Sequence, residues 1–357
     1  MKFTKLNELQ IPTWRWLHMN SSELEVDAEI DIPYQGGVLS ADETQIKIEN
    51  HVEIQSIEQV PDDVKRMSEF VLNNKNYGLT LTIPAGRRIT EPILLEFELD
   101  DTSPELIDFL HIIAEEGSHA EVIVSYRATG KGTYFHNGFA YLQAAKDSKI
   151  TLTKVQMLGE NDTHIDNNAV HIDENGQGDV LFCELGSGQL SAGCNIVLSG
   201  PESRSELSSL YLCDGESKLD FNYRMELRGK ASDGKILARG ALAGSSKKTL
   251  KSNLDFIRGA SGAKGSEEET VLTLSDRAVN LSVPLLLCGE DNVEGSHATT
   301  SGKPSASKLF YLMSRGLSEK EAKRLLVEAS FTPIVTKLSS DHLKNTVNER
   351  IREVLEC

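Results

Sequence analysis

A lone histidine, His297, sits among small polar residues in the stretch EGSHATTSG, just ahead of two patterned helical segments. Core histidines usually have apolar neighbours, so this one reads as a loop residue: a ligand, an interface contact, or a side chain without a role. A neutral ring nitrogen can bind a transition metal, but iron–sulfur clusters want four donors, mostly thiolate, so one imidazole cannot hold a cluster alone. A second constellation is HIDNNAVHIDENG, in which His164-Ile165-Asp166 returns as His171-Ile172-Asp173. Imidazole and carboxylate together suit a divalent metal. A spacing of seven, however, puts corresponding side chains on opposite faces of an extended strand. Two solenoid or hairpin turns, with Asn and Asp supplying the turn geometry, are the more ordinary reading. Asp220, Arg224 and Glu226 form the kind of acid and base set that a glycan-acting enzyme on a β-solenoid needs, although any strand with an exposed face offers similar sets.

Composition narrows the choice. The chain has 54 acidic against 37 basic residues, a net charge of −17, which disfavours nucleic acid and anionic membrane as partners. The basic run GSSKKTLK (244–251) is expected at a solvated strand edge. No apolar stretch approaches the roughly 20 residues that span a bilayer. The first residues, MKFTKLNELQIPTWRWLHMN, lack the apolar run of a secretory signal, so the expected compartment is the cytoplasm. Cys183, Cys194, Cys213, Cys288 and Cys357 are odd in number and contain no Cys-x-x-Cys pair, which suits neither a disulfide framework nor a zinc site. Buried free thiols are expected instead. No glycine-rich phosphate loop with Lys-Ser/Thr occurs, so the chain is not itself a P-loop ATPase.

Elements must hold these residues in place. Pro12, Trp14 and Trp16 read as an apolar anchor that docks an irregular lead-in. Short alternating runs between Glu23 and Ile54 suggest strands, and PDDVKRMSEFVLNN (61–74) suggests a helix through Val64, Met67, Phe70 and Val71. From about residue 80 to 295 alternating runs such as AEVIVSY, KITLTKVQML and KLDFNYRMEL recur with no amphipathic helix between them. Small turn residues before comparable strands fall at Ser118, Ser148, Gly178, Ser205 and Gly234, about thirty residues apart. That spacing fits a coil of strands in which each turn buries its apolar face on the next. A β-sandwich or jelly roll spaces strands similarly and stays open at this point.

After Ser296 the pattern turns helical. Leu309, Leu312 and Met313 make one stripe that Gly316 ends. Ser318 and Glu321 form a capping box ahead of Ala322, Leu325, Leu326 and Ala329, with Pro333 close behind. Leu343, Val347, Ile351 and Leu355 mark a third helix. The chain therefore divides into N-terminal strands and a helix (1–79), a β core (80–296) and a C-terminal helical domain (297–357).

The segment 271–331 carries a more specific signal. Leu274-Ser275, Pro284, His297-Ala298-Thr299 and the run from Leu309 to Leu317 (LFYLMSRGL) together resemble the SufB/SufD family of the SUF iron–sulfur cluster assembly system. The resemblance implies a right-handed parallel β-helix core with a helical C-terminal domain. It also implies two partners: a second family member bound through the β-helices, and the SufC ATPase docked on the C-terminal helices around Phe310, Tyr311, Arg315 and Gly316. ATP-driven SufC dimerisation would then open the pair and expose the cluster-building site.

Within that family the sequence resembles the D-type branch. The cysteine of B-type scaffolds falls on Glu269, and their Glu-His-Glu becomes Ser296-His297-Ala298. The chain is also shorter than a typical B-type protein. His297 is then expected to give one ligand, or a contact beside one, to a transient cluster whose thiolate comes from a B-type partner; this chain alone would bind none. Glu269, in the acidic run GSEEETV, is a weaker candidate whose ordinary reading is a solvated side chain. Two residues depart from the family pattern: Lys303-Pro304 replace an apolar–acidic pair, and Ser330 stands where glycine commonly precedes the phenylalanine. The expected function is a non-catalytic scaffold subunit with one B-type partner and two SufC. The alternatives are a B-type-like homodimer with SufC and, from another class, a polysaccharide-acting β-helix enzyme.

Overall fold

A computed structural model describes residues 1–12, 19–26, 33–34, 36–50 and 62–356. Trp14, Trp16, Ile54 and Cys357 lie outside them, as do the side chains of Val64 and Met67. The lead-in comprises β1 (Lys2–Leu6), β2 (Ser22–Glu25), β3 (Gly37–Ser40), β4 (Lys47–Asn50) and helix α1 (Asp62–Asn74). The core begins with β5 (Tyr77–Ile83), β6 (Ile93–Leu99), β7 (Glu105–Ala114), β8 (His119–Ala128), β9 (Phe135–Ala144) and β10 (Lys149–Met157). It continues through β11 (Thr163–Ile172), β12 (Gln177–Glu184), β13 (Gln189–Leu198), β14 (Arg204–Cys213), β15 (Lys218–Leu227) and β16 (Asp233–Leu242). It closes with β17 (Lys247–Phe256), β18 (Lys264–Thr273), β19 (Val279–Cys288) and β20 (Glu294–Gly302).

From β5 onward each strand pairs in parallel with the strand two places on, so even strands build one sheet and odd strands the other. The result is a parallel β-solenoid of about 8 turns, each turn giving one strand to each sheet. A sandwich or jelly roll, built on antiparallel pairs, is ruled out. Alternation explains the interior: Leu152, Val180, Leu207 and Ile236 form one inward column of the even sheet, each beside the next. Strands read as buried on both faces because layers cover the outside too. Phe3, Leu6, Leu24 and Val71 of the lead-in pack on Phe109, Phe135, Phe139 and Ile165 of the odd sheet. Helices α3 (Glu319–Val335) and α4 (Asp341–Glu356) pack Val327, Phe331, Ile334, Val347 and Ile351 on Val155, Leu181, Leu210 and Leu237 of the even sheet.

The thirty-residue repeat is real, but three of its marker residues are not turns. Gly178, Ser205 and Gly234 lie inside β12, β14 and β16. A Cβ on Gly234 would sit 2.2 Å from the Met225 sulfur, so this column is small because the opposite sheet's large side chains fill the space above it. The corners themselves use Ser118, Ser148, Gly176, Ser203 and Ser232, whose carbonyls accept the amides of Lys149, Gln177, Arg204, Asp233 and Lys264 on the next turn. The residue just before each corner adopts the left-handed region: Gly117, Asp147, Asn175, Glu202 and Ala231 all have positive φ.

The two ends differ. At one end the short strands β3 and β4 pair antiparallel with β6 and β5 and cap the sheets. At the other, β19 and β20 are terminal, and every residue of β20 is exposed. Strand pairing thus runs through His297 to Gly302, and the helical segment starts only at α2 (Ala306–Ser314). The helix ending at Gly316 is as expected, with φ of +100° there, and the Ser318–Glu321 capping box is complete. Pro333 does not end α3: it lies in the last turn, where its missing N–H forfeits only one bond. The stripe on α2 does not enter the core. Leu309 and Leu312 are half-buried, Met313 is exposed, and no α2 residue is buried.

Candidate functional site

His297 lies in β20, not on a loop, and strand parity decides where it points. A Cβ on Gly295 would meet Leu286 and Phe256, so Gly295 faces the interior, and His297 and Thr299 follow on the same side. The preceding turn puts Glu267 beside His297 and Glu269 beside Thr299 in register. Because no further turn among the described residues covers them, His297 and Thr299 rim an open mouth whose floor is Glu267 and Glu269.

That floor corrects two expectations. Glu269 is not solvated; it is fully buried, as is Lys248, which closes its ammonium on the Glu269 carboxylate. The Tyr211 hydroxyl donates to Glu269 at 2.7 Å and the Ser282 hydroxyl at 2.6 Å, while Lys248 also reaches Ser282 at 3.1 Å. Tyr211 spans two turns because Gly240 lies under its ring, where a Cβ would stand 2.0 Å from a ring carbon. The basic run GSSKKTLK is likewise no solvated edge. Lys248 points inward, and Lys251 is buried on the outer face against Asp220 at 2.8 Å. Burial lowers the Lys248 ammonium from its ordinary value. It pushes the Glu267 carboxyl up to about 7, with Glu269 adding repulsion and a Ser252 hydrogen bond opposing.

A second polar cluster, of which the sequence reading picks out only His164 and Asp166, fills the interior several turns away. His136 and His164 face each other through their Nδ1 atoms at 2.7 Å, and His136 Nε2 meets the buried Asp108. Lys154 donates to both oxygens of Asp166, at 2.7 and 3.0 Å. Glu184 lies 3.8 Å from His164 Nε2. Burial pushes Glu184 up to about 8 and holds His164 well below its ordinary value. The signal was a histidine at the second residue of both β9 and β11, on the inward parity. The repeated His-Ile-Asp therefore splits as the spacing of seven requires: His164 and Asp166 are inside, His171 and Asp173 outside. Neither triplet is a pair of turns; the strand runs through to Ile172.

The glycan-enzyme set is held in ion pairs. Arg224 bridges Glu226 at 2.9 Å and Asp255 at 3.1 Å, while Asp220 takes Lys251 and the Asn7 amide. Cys183, Cys194 and Cys213 are buried free thiols, as expected, and Cys288 is exposed. Among the described residues, no three His, Cys, Asp or Glu side chains are placed to hold a metal. Among them, too, no helix is long and apolar enough to cross a membrane.

The other predicted surface is α2. Phe310 and Tyr311 are 76% and 57% exposed, and Arg315 lies over the Tyr311 ring at 5.3 Å. Ser307, Lys308, Tyr311 and Leu312 line an open cleft against Leu326 of α3. Only Lys303, Pro304 and Ser305 separate α2 from the strand carrying His297.

Comparison with known proteins places the chain in a family. Residues 98–330 match the family model described as SUF system FeS cluster assembly, SufBD core domain. The chain is 25% identical over 272 residues to the iron–sulfur cluster assembly protein SufD of Bacillus subtilis, covering 75% of this chain and 62% of that protein. It is 23% identical over 266 residues to an iron–sulfur cluster assembly SufBD family protein of Staphylococcus epidermidis, covering 74% of this chain and 57% of the relative. A Staphylococcus aureus SufBD family protein matches to the same extent. The chain thus spans about three fifths of the length of these curated relatives.

Proposed function

The chain belongs to the SufBD core family of the SUF iron–sulfur assembly system, and from that premise we propose that it is a D-type scaffold subunit working in the cytoplasm. It pairs its open solenoid end with a B-type subunit and offers its C-terminal helices to SufC. The observation that carries this reading is the last turn, uncapped among the described residues, with His297 on its rim. Parallel edges with unpaired backbone groups call for another strand. The position that resembles the B-type cysteine is Glu269, already held by Lys248, Tyr211 and Ser282. This chain therefore brings an imidazole to the mouth, and the thiolate that a cluster needs comes from across the interface.

The exposed aromatic face of α2 supports SufC docking, with Tyr311 and Arg315 as anchors of the kind that dominate interfaces. The short link from β20 to α2 gives SufC a mechanical hold on the strand that bears His297. SufC closure would pull on that strand and expose the mouth, while ATP hydrolysis stays on SufC. The cluster is cargo, shared across the interface and passed on.

Light scattering on the co-expressed chain, B-type protein and SufC tests this. A stable complex with this chain present once is expected. Two copies each of this chain and SufC, without a B-type protein, would favour the homodimeric scaffold. No association with SufC would overturn the reading.

A further inference from the structure

Four ionisable side chains from four strands meet in sequence inside the solenoid, away from the mouth. Asp108 of β7 holds His136 Nε2, and its other oxygen accepts the Tyr126 hydroxyl at 3.3 Å. His136 and His164, on adjoining strands, meet through Nδ1 atoms 2.7 Å apart. That contact needs a single proton shared by two lone pairs. Beyond it, His164 Nε2 faces Glu184 Oε2 of β12 across 3.8 Å, too far for a direct bond. Glu184 Oε2 and both polar atoms of Gln156, its register neighbour, are buried with no protein partner among the described residues.

Each link fixes the next. Burial and the nearby Asp166 push the Glu184 carboxyl up to about 8, with Lys154 opposing, so it keeps its proton at neutral pH. A protonated carboxyl donates, so His164 Nε2 accepts and the His164 proton sits on Nδ1. His136 Nδ1 is then bare, and the His136 proton sits on Nε2, aimed at Asp108. Lys154 is taken up by both oxygens of Asp166. Burial, with His136 and Lys154 close by, holds His164 well below its ordinary value, so it stays neutral. Tyr126, Cys194 and Tyr223 also face the cluster, and burial raises all three, so they stay neutral as well.

We propose that Asp108, His136, His164 and Glu184 form one proton relay that switches the contact between the two imidazoles, closed by a water bound to His164 Nε2, Glu184 Oε2 and the Gln156 amide. Three protons fill its three links at neutral pH: Glu184 through the water to His164, His164 to His136, and His136 to Asp108. Loss of one proton empties a link. When Glu184 gives its proton to a base in solvent, its carboxylate needs a donor. His164 then exchanges its Nδ1–H for an Nε2–H, and the two remaining protons point at Glu184 and Asp108. No proton lies between the Nδ1 atoms, two lone pairs at that separation repel, and the bridge between β9 and β11 opens.

Nitrogen-15 NMR of the full chain with labelled histidine, from about pH 6 to about pH 9, reads the tautomers directly. At the acid end His136 is expected as the Nε2–H tautomer and His164 as Nδ1–H. Through about pH 8 His164 should change to Nε2–H while His136 keeps its proton in place. Glu184→Gln, whose amide donates without titrating, should hold His164 as Nδ1–H across the range and remove the step. A cross-peak from a long-lived water to the His164 ring is expected at neutral pH, and its absence would overturn the bridged link. Doubly protonated His136 at neutral pH, or His164 as Nε2–H there, would overturn the relay. A step that survives Glu184→Gln would overturn Glu184 as its trigger. The readout needs neither SufC nor a B-type protein, so it stands or falls apart from the assembly reading.

Discussion

His297 is exposed at a strand edge and Lys248 is buried beside a carboxylate, so equal truncations there have opposite consequences. Replacing His297 by alanine removes no packing. The thermal unfolding temperature and SufC binding should stay as they are, while cluster formation on the complex falls several-fold. Full cluster formation with that variant would end the ligand role. Replacing Lys248 by methionine leaves the Glu269 carboxylate buried against Tyr211 and Ser282 and should cost about 3–5 kcal/mol in denaturant unfolding. The double replacement with Glu269→Leu should recover most of it. Glu184 and Glu267 give stability a pH dependence. Between the ordinary carboxyl value of 4.5 and about 8 or about 7, the folded chain holds more protons at these sites than the unfolded one. Their contribution is therefore full at acid pH and is lost as pH rises through that window. Glu184→Gln should flatten the decline and stabilise the chain by about 2–4 kcal/mol at pH 9; an unchanged pH profile would sink this. These buried charges were legible only by parity. Lys248 alternates with Leu250 and Leu254, and Glu269 with Val271, yet the runs KK and EEE look like surface when read as charge. Composition misleads wherever a solenoid interior is polar.

At the scale of elements, strand alternation and the C-terminal helices could be read directly, because both are local periodicities. Corner chemistry could not. The left-handed position of successive corners is filled by Gly117, Asp147, Asn175, Glu202 and Ala231. Most are not glycine, since backbone bonds to the next turn, such as Asn175 to the Pro201 carbonyl, offset a cost of about 1–2 kcal/mol. Glycine and serine spacing in the sequence therefore points to the interior column at Gly178 and Gly234, two residues past the corners at Gly176 and Ser232. Gly240 shows what such interior glycines do. Alanine there puts a methyl into the Tyr211 ring and pushes its hydroxyl from Glu269, so the loss should exceed the ordinary effect of a glycine-to-alanine change in a strand. Gly240→Ala combined with Tyr211→Phe should cost less than the sum of the two, because both break the same contact. Strict additivity in denaturant unfolding would show that the ring has room to move.

Among the described residues the solenoid is capped at one end and open at the other. Natural sheets blunt their edges with charge, bulges or a covering element. The first turn has β3 and β4 for this, whereas β20 presents a nine-residue edge, EGSHATTSG, with Glu294 and His297 its only ionisable side chains. An edge that long suits the proposed pairing with a partner strand. In a strand, successive N–H groups point to opposite neighbours, so of Ala298 and Thr299 one donates back to β18 and the other points outward. Proline at the inward-donating position removes a ladder bond and should lower the unfolding temperature. At the outward-pointing position it should leave stability nearly intact while abolishing association with the B-type partner in light scattering. The two variants thus exchange phenotypes across a single residue. Equal loss of association at equal stability would mean that the partner grips side chains rather than the strand edge, and the mouth would then be bound face-on.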